Sequence, residues 1–114
     1  GNSKEVNTKV PEAKPVTSIT NDQRVNYKEE TKRLQGEIKE FQRKILKCEE
    51  LLLVHTQKLE ALNNEILIAK GARAGELAKD LNGLGDEIRR LEDNLLEHME
   101  KLAHSEKQLT ELKR

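Results

Sequence analysis

Apolar side chains between residues 27 and 69 recur alternately three and four residues apart, over six heptads. This period places them on one narrow face of an α-helix and is typical of a coiled coil. No proline and only one glycine, Gly36, interrupt it. We therefore predict a first long helix over residues 21–70. Two interleaved series form its stripe: Tyr27, Leu34, Phe41, Cys48, His55, Leu62 and Ala69, and Thr31, Ile38, Ile45, Leu52, Leu59 and Ile66.

A second stripe of the same period predicts a second helix over residues 76–114. It is out of phase with the first, because Ala69 and Leu77 are eight residues apart where a heptad step is seven. Four glycines fall in the fifteen residues 71–85, and each costs roughly 0.8–1 kcal/mol inside a helix. The segment 71–75 is therefore either a turn or a stutter. The second stripe consists of Leu77, Leu81, Leu84, Ile88, Leu91, Leu95, His98, Leu102, Ser105, Leu109 and Leu112.

The first architecture that follows is an all-α antiparallel helical hairpin, a coiled coil folded back on itself. Residues 71–75 form the turn, since loops of two to five residues join such helices. Residues 32–70 then oppose residues 76–114. In this register Leu62 faces the 81–84 region, and Phe41 faces Ser105.

The alternative is one continuous helix with a stutter, paired in a parallel dimer. The apolar spacing across residues 66–88 averages near 3.67, a value that locally unwinds a supercoil. This arrangement buries Arg73 in the stripe. The glycine cluster and that buried charge favour the hairpin.

The first 20 residues show no helical period and contain Pro11 and Pro15, so we predict a flexible N-terminal segment over 1–20. Thr20 and Gln23 have the spacing of a capping box and predict the start of the first helix. The chain begins with Gly1 in place of an initiator methionine, which indicates a fragment or a processed chain.

We predict that the two stripes form a partner-binding seam, by which the helices bind each other or the helices of another protein. Its residues are Leu34, Ile38, Phe41, Ile45, Leu52, Leu59, Leu62, Ile66, Leu77, Leu81, Leu84, Ile88, Leu91, Leu95, Leu102, Leu109 and Leu112. The first helix also carries apolar residues outside its stripe, and these predict a second partner face. They are Leu46, Leu51, Leu53, Val54, Leu67 and Ile68. The second helix has few such extras, chiefly Leu96 and Met99.

Composition agrees with a narrow seam in a wet surface, since 37 % of residues are charged and Phe41 and Tyr27 are the only aromatics. The 21 basic and 21 acidic residues balance and are interspersed, so nucleic acid is an unexpected partner. No apolar run approaches the ~20 residues that span a bilayer. Together with the single cysteine, this predicts an intracellular protein, cytoplasmic or nuclear.

Candidate chemistry is sparse. His55, His98 and His104 invite a metal site, but Cys48 lies seven residues from His55, which is not the spacing of helical ligands. We interpret His55 and His98 as polar positions in the seam and Cys48 as a small apolar residue. No phosphate loop, nucleophile motif or zinc spacing is present. We expect no catalytic residue, metal or cofactor, and hence no enzymatic activity.

Residues 66–77, Ile-Leu-Ile-Ala-Lys-Gly-Ala-Arg-Ala-Gly-Glu-Leu, followed by Leu-Gly-Asp-Glu-Ile at 84–88, resemble the turn in the helical arm of seryl-tRNA synthetases. The resemblance covers about 25 residues, and in that family the arm is an antiparallel hairpin that contacts tRNA. It implies an alternative function, an RNA-contacting arm of a larger enzyme. The expectation that the residues themselves favour is a scaffolding coiled coil that mediates protein–protein association or oligomerisation.

Overall fold

The computed structural model describes residues 21–114 as two long helices joined by a short link. Helix α1 spans Asn21–Ile66 and helix α2 spans Gly71–Leu112, and the described residues contain no strand. The all-α helical hairpin is thereby confirmed. The predicted flexible segment 1–20 and the Thr20 cap lie outside the described residues.

The described chain falls into two units, one ending at Lys32 and the other spanning Arg33–Arg114. The first unit contributes the opening turns of α1, where Val25 and Tyr27 are exposed. The second unit holds the rest of α1 and all of α2, and it is the unit that forms the hairpin.

Two polar contacts establish the antiparallel pairing within Arg33–Arg114. Near the link, Arg73 Nη2 lies 2.7 Å from Glu65 Oε2. Far from the link, Ser105 Oγ donates a hydrogen bond to Glu37 Oε1 at 3.2 Å, although 68 residues separate the two in sequence. One continuous helix cannot bring these residues together, so the alternative with a stutter is wrong. Arg73 is exposed and ion-paired, not buried in the stripe.

The link between the helices comprises residues 67–70, and this corrects the predicted turn at 71–75. The Ile68 N–H donates to the Glu65 carbonyl at 3.2 Å as α1 ends, and Lys70 is extended. Gly71 has a φ of 61°, a left-handed conformation that costs a residue with a Cβ roughly 1–2 kcal/mol. One glycine therefore completes the reversal, and Gly75 lies inside α2. The sequence pattern did not indicate this link, because Leu67 and Ile68 extend the apolar helical pattern of α1.

The core is the seam between the two helices. Leu34, Leu77, Leu84 and Leu91 are buried, together with Ser105 and Cys48. From the two polar contacts and the alternation of seam positions we infer a register in which Ile66 lies across from Leu77 and Leu59 across from Leu84. Packing of such leucines supplies the main stabilisation, at roughly 1.5–3 kcal/mol for each fully buried side chain.

The observed register keeps Leu62 beside residues 81–84 but is shifted by about one helical turn from the predicted one. Leu62 and Leu84 line the same groove, as expected for Leu62 facing 81–84. Ser105, however, bonds to Glu37, one helical turn before its predicted neighbour Phe41. The displacement follows from the link, which lies about one turn earlier in the chain than the predicted turn.

Candidate protein-interaction faces

The predicted partner-binding seam is closed within this chain. Four of its leucines, Leu34, Leu77, Leu84 and Leu91, are buried between α1 and α2. The remaining members are half-buried: Ile38, Phe41, Ile45, Leu52, Leu59, Leu62, Ile66, Leu81, Ile88, Leu95, Leu102, Leu109 and Leu112. The stripes of the two helices thus pack against each other within this chain, and the half-buried members keep part of their surface exposed.

The six residues of the predicted second face occupy three different places. Leu46 and Leu53 are exposed on one flank of α1, at 61 % and 60 %. Leu51 is half-buried and Val54 exposed on the opposite flank. Leu67 and Ile68 belong to the link, where each is 80 % exposed. The structure therefore divides the set into three pairs, of which Leu46 and Leu53 are the pair with both members exposed on a flank of α1.

A simple rule assigns side chains to the two flanks of the hairpin. In each helix, residues that directly precede a seam position project to one side, and residues that directly follow one project to the other. Because the helices are antiparallel, the preceding residues of both helices share one side, and the following residues share the other. We call the side of the preceding residues the charged face and the side of the following residues the apolar face.

The charged face carries charged side chains from both helices, and among Arg33–Arg114 the salt bridge that joins the helices is the one between Arg73 and Glu65. The other charged residues of this face are Lys58, Asp80, Glu87, Lys44 and Glu97. Arg73 bonds to Glu65 across the hairpin and to Glu76 on its own helix, and the Glu65 carboxylate raises the pKa of Arg73. Lys101 bonds to Glu97 at 3.0 Å and lowers the pKa of that carboxyl. Lys44 on α1 acts on Glu97 in the same direction. Charged side chains of this face therefore already bond to one another.

An open groove of about 540 Å³ lies on the charged face near the link. Leu62 and Leu84 form its apolar lining, and Lys58, Asp80 and Glu87 lie around them. Arg90 bonds to Glu87, and this hydrogen bond lowers the pKa of the Glu87 carboxyl. Both signs of charge meet here, so the groove has no preference for an anion or a cation.

The apolar face combines exposed side chains from both helices: Leu46, Leu53, Leu96 and Met99. Leu46, Leu53 and Leu96 each directly follow a seam residue, and Met99 follows His98. All four are more than half exposed, at 61 %, 60 %, 57 % and 51 %. The register places Leu46 level with Leu96, Met99 farther from the link and Leu53 nearer to it. These residues place exposed apolar side chains from both helices along one side of the hairpin.

Two carboxylates interrupt the apolar face. Glu49 follows Cys48, and Glu92 follows Leu91, so both belong to this side. The register places them level with each other, between Leu53 and the Leu46–Leu96 level. Both are exposed. The face therefore presents a local negative charge inside an apolar surround.

The seam polar residues bring no metal-binding group together. Among residues 21–114 no cluster of three histidine, cysteine or acidic side chains has the geometry to hold a metal ion. His55 and His98 each have a buried Nδ1 with no hydrogen-bond partner, and Cys48 is a buried free thiol. Within the same residues, no helix is long and apolar enough to cross a membrane.

Sequence reasoning recognised Leu96 and Met99 as unusual without assigning them to a face. Their position beside Leu46 depends on the register of the two helices. A usable indication was present, since Glu65 with Arg73 and Lys58 with Asp80 are opposite charges at matching positions in an antiparallel pair. Comparison with protein families, curated proteins and solved structures finds no match to this chain. The resemblance to the seryl-tRNA synthetase arm thus rests on the quoted residues alone.

Proposed function

We propose that this chain is a non-catalytic scaffolding element, a preformed two-helix coiled coil that binds a protein partner on its apolar face. The observation that carries the proposal is the placement of Leu46, Leu53, Leu96 and Met99 on one side of the hairpin, all more than half exposed. Scattered exposed leucines are ordinary on protein surfaces. Here they come from two helices and meet along one strip, which is typical of a surface that packs against another helix.

The contrast with the charged face supports the same proposal. Polar side chains there bond across the hairpin or along one helix, as with Arg73, Glu65 and Glu97. No comparable cross-hairpin ion pair covers the apolar face in Arg33–Arg114. Burying the strip would remove apolar surface from water, and each Å² so removed favours binding by roughly 25 cal/mol. Burying the charged face would instead desolvate established ion pairs.

Site-specific photo-crosslinking tests the proposal in the cell of origin. A photoreactive amino acid replaces Met99 on the apolar face in one variant and Lys79 on the opposite side in a matched control. We expect discrete protein adducts at position 99, absent at position 79 and lost when Leu46→Asp is added. Circular dichroism of each variant establishes that the hairpin is retained.

Two outcomes would contradict the proposal. Equal adduct yields at positions 99 and 79 would mean that the apolar face is not a preferred contact surface. Adducts to RNA in place of protein would support the alternative function, an RNA-contacting arm. In that case binding should also weaken steeply with added salt, because neutralised phosphates release counterions.

A further inference from the structure

We propose that the occupant of the apolar face is a single amphipathic helix of another protein, with a lysine or arginine between two apolar residues spaced one heptad apart. This inference rests on the proposed function and specifies the chemistry of the partner. It follows from the charge at the centre of the face, from the spacing of the leucines, and from the unsuitability of a second copy.

In the described part of the chain, the carboxylates of Glu49 and Glu92 on the apolar face have no neighbouring cation to neutralise them. Glu49 has Ile45, Leu46, Leu52 and Leu53 as its neighbours one turn away along α1, and none of them is a cation. Arg89 lies one turn before Glu92, but its guanidinium bonds to Asp86. Neither Glu49 nor Glu92 forms an ion pair within residues 21–114. A partner that covers them with apolar groups would desolvate two charges, whereas a cation compensates them.

The spacing of the exposed leucines along α1 fits a helical partner. Leu46 and Leu53 are one heptad apart, about 10.5 Å along a helix axis. A helix lying along the strip contacts both levels with two of its own apolar residues seven positions apart. The level of Glu49 and Glu92 then falls near the middle of that heptad. A lysine or arginine there packs its methylene groups on Leu46 and Leu53, and its charged head reaches the carboxylates.

A second copy of this chain does not suit the apolar face. A two-fold axis through the middle of the strip lies close to the level of Glu49 and Glu92. Such a dimer brings four carboxylates within about one helical turn, and like charges at an interface are strongly unfavourable. The same apolar side chains without the acid pair would suit self-association. With it, the face selects a basic partner.

Selection from a displayed library of helical peptides tests the inference. The full chain is immobilised, and peptides of about four heptads with randomised inward positions are selected against it. We expect the enriched peptides to carry Lys or Arg between apolar residues at heptad spacing. Selection against Glu49→Lys/Glu92→Lys should enrich Asp or Glu at the same position. Peptides from the first selection should bind this charge-reversed variant about tenfold more weakly or worse.

Two control variants locate the binding. Leu46→Asp/Leu96→Asp should lose the selected peptides, because charge replaces apolar contact at the centre of the strip. Lys58→Glu on the charged face should bind them unchanged. All three substituted positions are exposed, and the helical circular dichroism signal of each variant establishes that it is folded.

The outcomes separate this inference from the proposed function. Peptides that need Leu46 and Leu96 but show no basic preference, or bind equally to the charge-reversed variant, would overturn the inference and leave the apolar face as a binding surface. Failure to enrich any helix overturns the inference, and equal crosslinking at positions 99 and 79 separately overturns the proposed function. A dimer observed by light scattering and dissociated by Leu46→Asp would also overturn the inference, because the occupant of the apolar face would then be a second copy of this chain.

Discussion

The Ser105 hydroxyl bonds to the Glu37 carboxylate between the helices, at 3.2 Å, far from the link. Ser105 is 2 % exposed and occupies a seam position where leucine is the usual residue. Loss of a hydrogen bond to a partly exposed carboxylate should cost about 1 kcal/mol. We therefore expect Ser105→Ala to lower the free energy of unfolding by about that amount in urea denaturation.

The matched control for this prediction is Thr110→Ala. Its hydroxyl also forms a hydrogen bond, but to the Glu106 carbonyl on its own helix and in solvent. This substitution should change stability by less than about 0.5 kcal/mol. Equal effects at Ser105 and Thr110 would show that the bond across the hairpin contributes nothing specific.

Two glycines four residues apart should respond to alanine in opposite directions. At Gly71, with its φ of 61°, alanine is strained and should destabilise the hairpin by roughly 1–2 kcal/mol. At Gly75, inside α2 and with no atom near the added methyl group, alanine should stabilise it by roughly 0.5–1 kcal/mol. Thermal unfolding of both variants measures the difference. Destabilisation by both substitutions would place the turn at 71–75 after all.

The seam histidines should be replaceable with a gain in stability. The Nδ1 atoms of His55 and His98 are buried without partners, and a buried unsatisfied polar atom costs about 1–3 kcal/mol. We expect His55→Leu and His98→Leu each to raise the free energy of unfolding by about 1 kcal/mol or more, measured in urea at about pH 8. His104→Leu, at an exposed position, is the control and should have little effect. A loss of stability in His55→Leu would reveal a favourable contact of that imidazole.

Acid should weaken the hairpin through Glu87. The hydrogen bond from Arg90 lowers the pKa of this carboxyl below its ordinary value of 4.5. A carboxyl with a lowered folded-state pKa contributes stability above its unfolded pKa and loses it as the pH falls through the folded value. Glu87→Gln should therefore be less stable than wild type near neutrality and equal to it in strong acid.

Denaturation of both proteins between neutral pH and about pH 2 checks this difference. Arg90→Gln serves as the control, because it removes the hydrogen-bond donor and leaves the Glu87 carboxyl in place. Adding Glu87→Gln to this variant should lower its stability no further at neutral pH. A Glu87→Gln deficit that persists in acid would arise from lost packing and not from the charge.

Much of the hairpin follows from the sequence, because a seam of alternating three- and four-residue steps is a local property. Leu34 and Leu77 are buried where their spacing predicts. The position of the link was not predictable from glycine content, since Leu67 and Ile68 continue the apolar pattern and Gly75 is accommodated within α2. The ion pair of Arg73 with Glu65 was not predictable for the same reason, because the two residues become neighbours only when the chain reverses before Gly71.

The apolar face shows why surface sites are harder to predict than cores. Leu46 and Leu53 are one heptad apart on one helix, so their relationship is present in the sequence. Leu96 and Met99 join them only through the register of two helices, and a shift of one turn would separate them. The acid pair of Glu49 and Glu92 likewise exists only in the folded hairpin.

The four-residue link determines how concentrated the chains must be before they exchange helices with one another. The apolar stripe of α1, which packs against α2 of its own chain, would fit α2 of a neighbouring chain equally well. A short tether holds the second helix near the first at an effective concentration of about millimolar or more. Below that concentration exchange of helices between chains is outcompeted. The hairpin within one chain is then the favoured form at ordinary protein levels, and the same contacts favour exchanged dimers only when chains are crowded together.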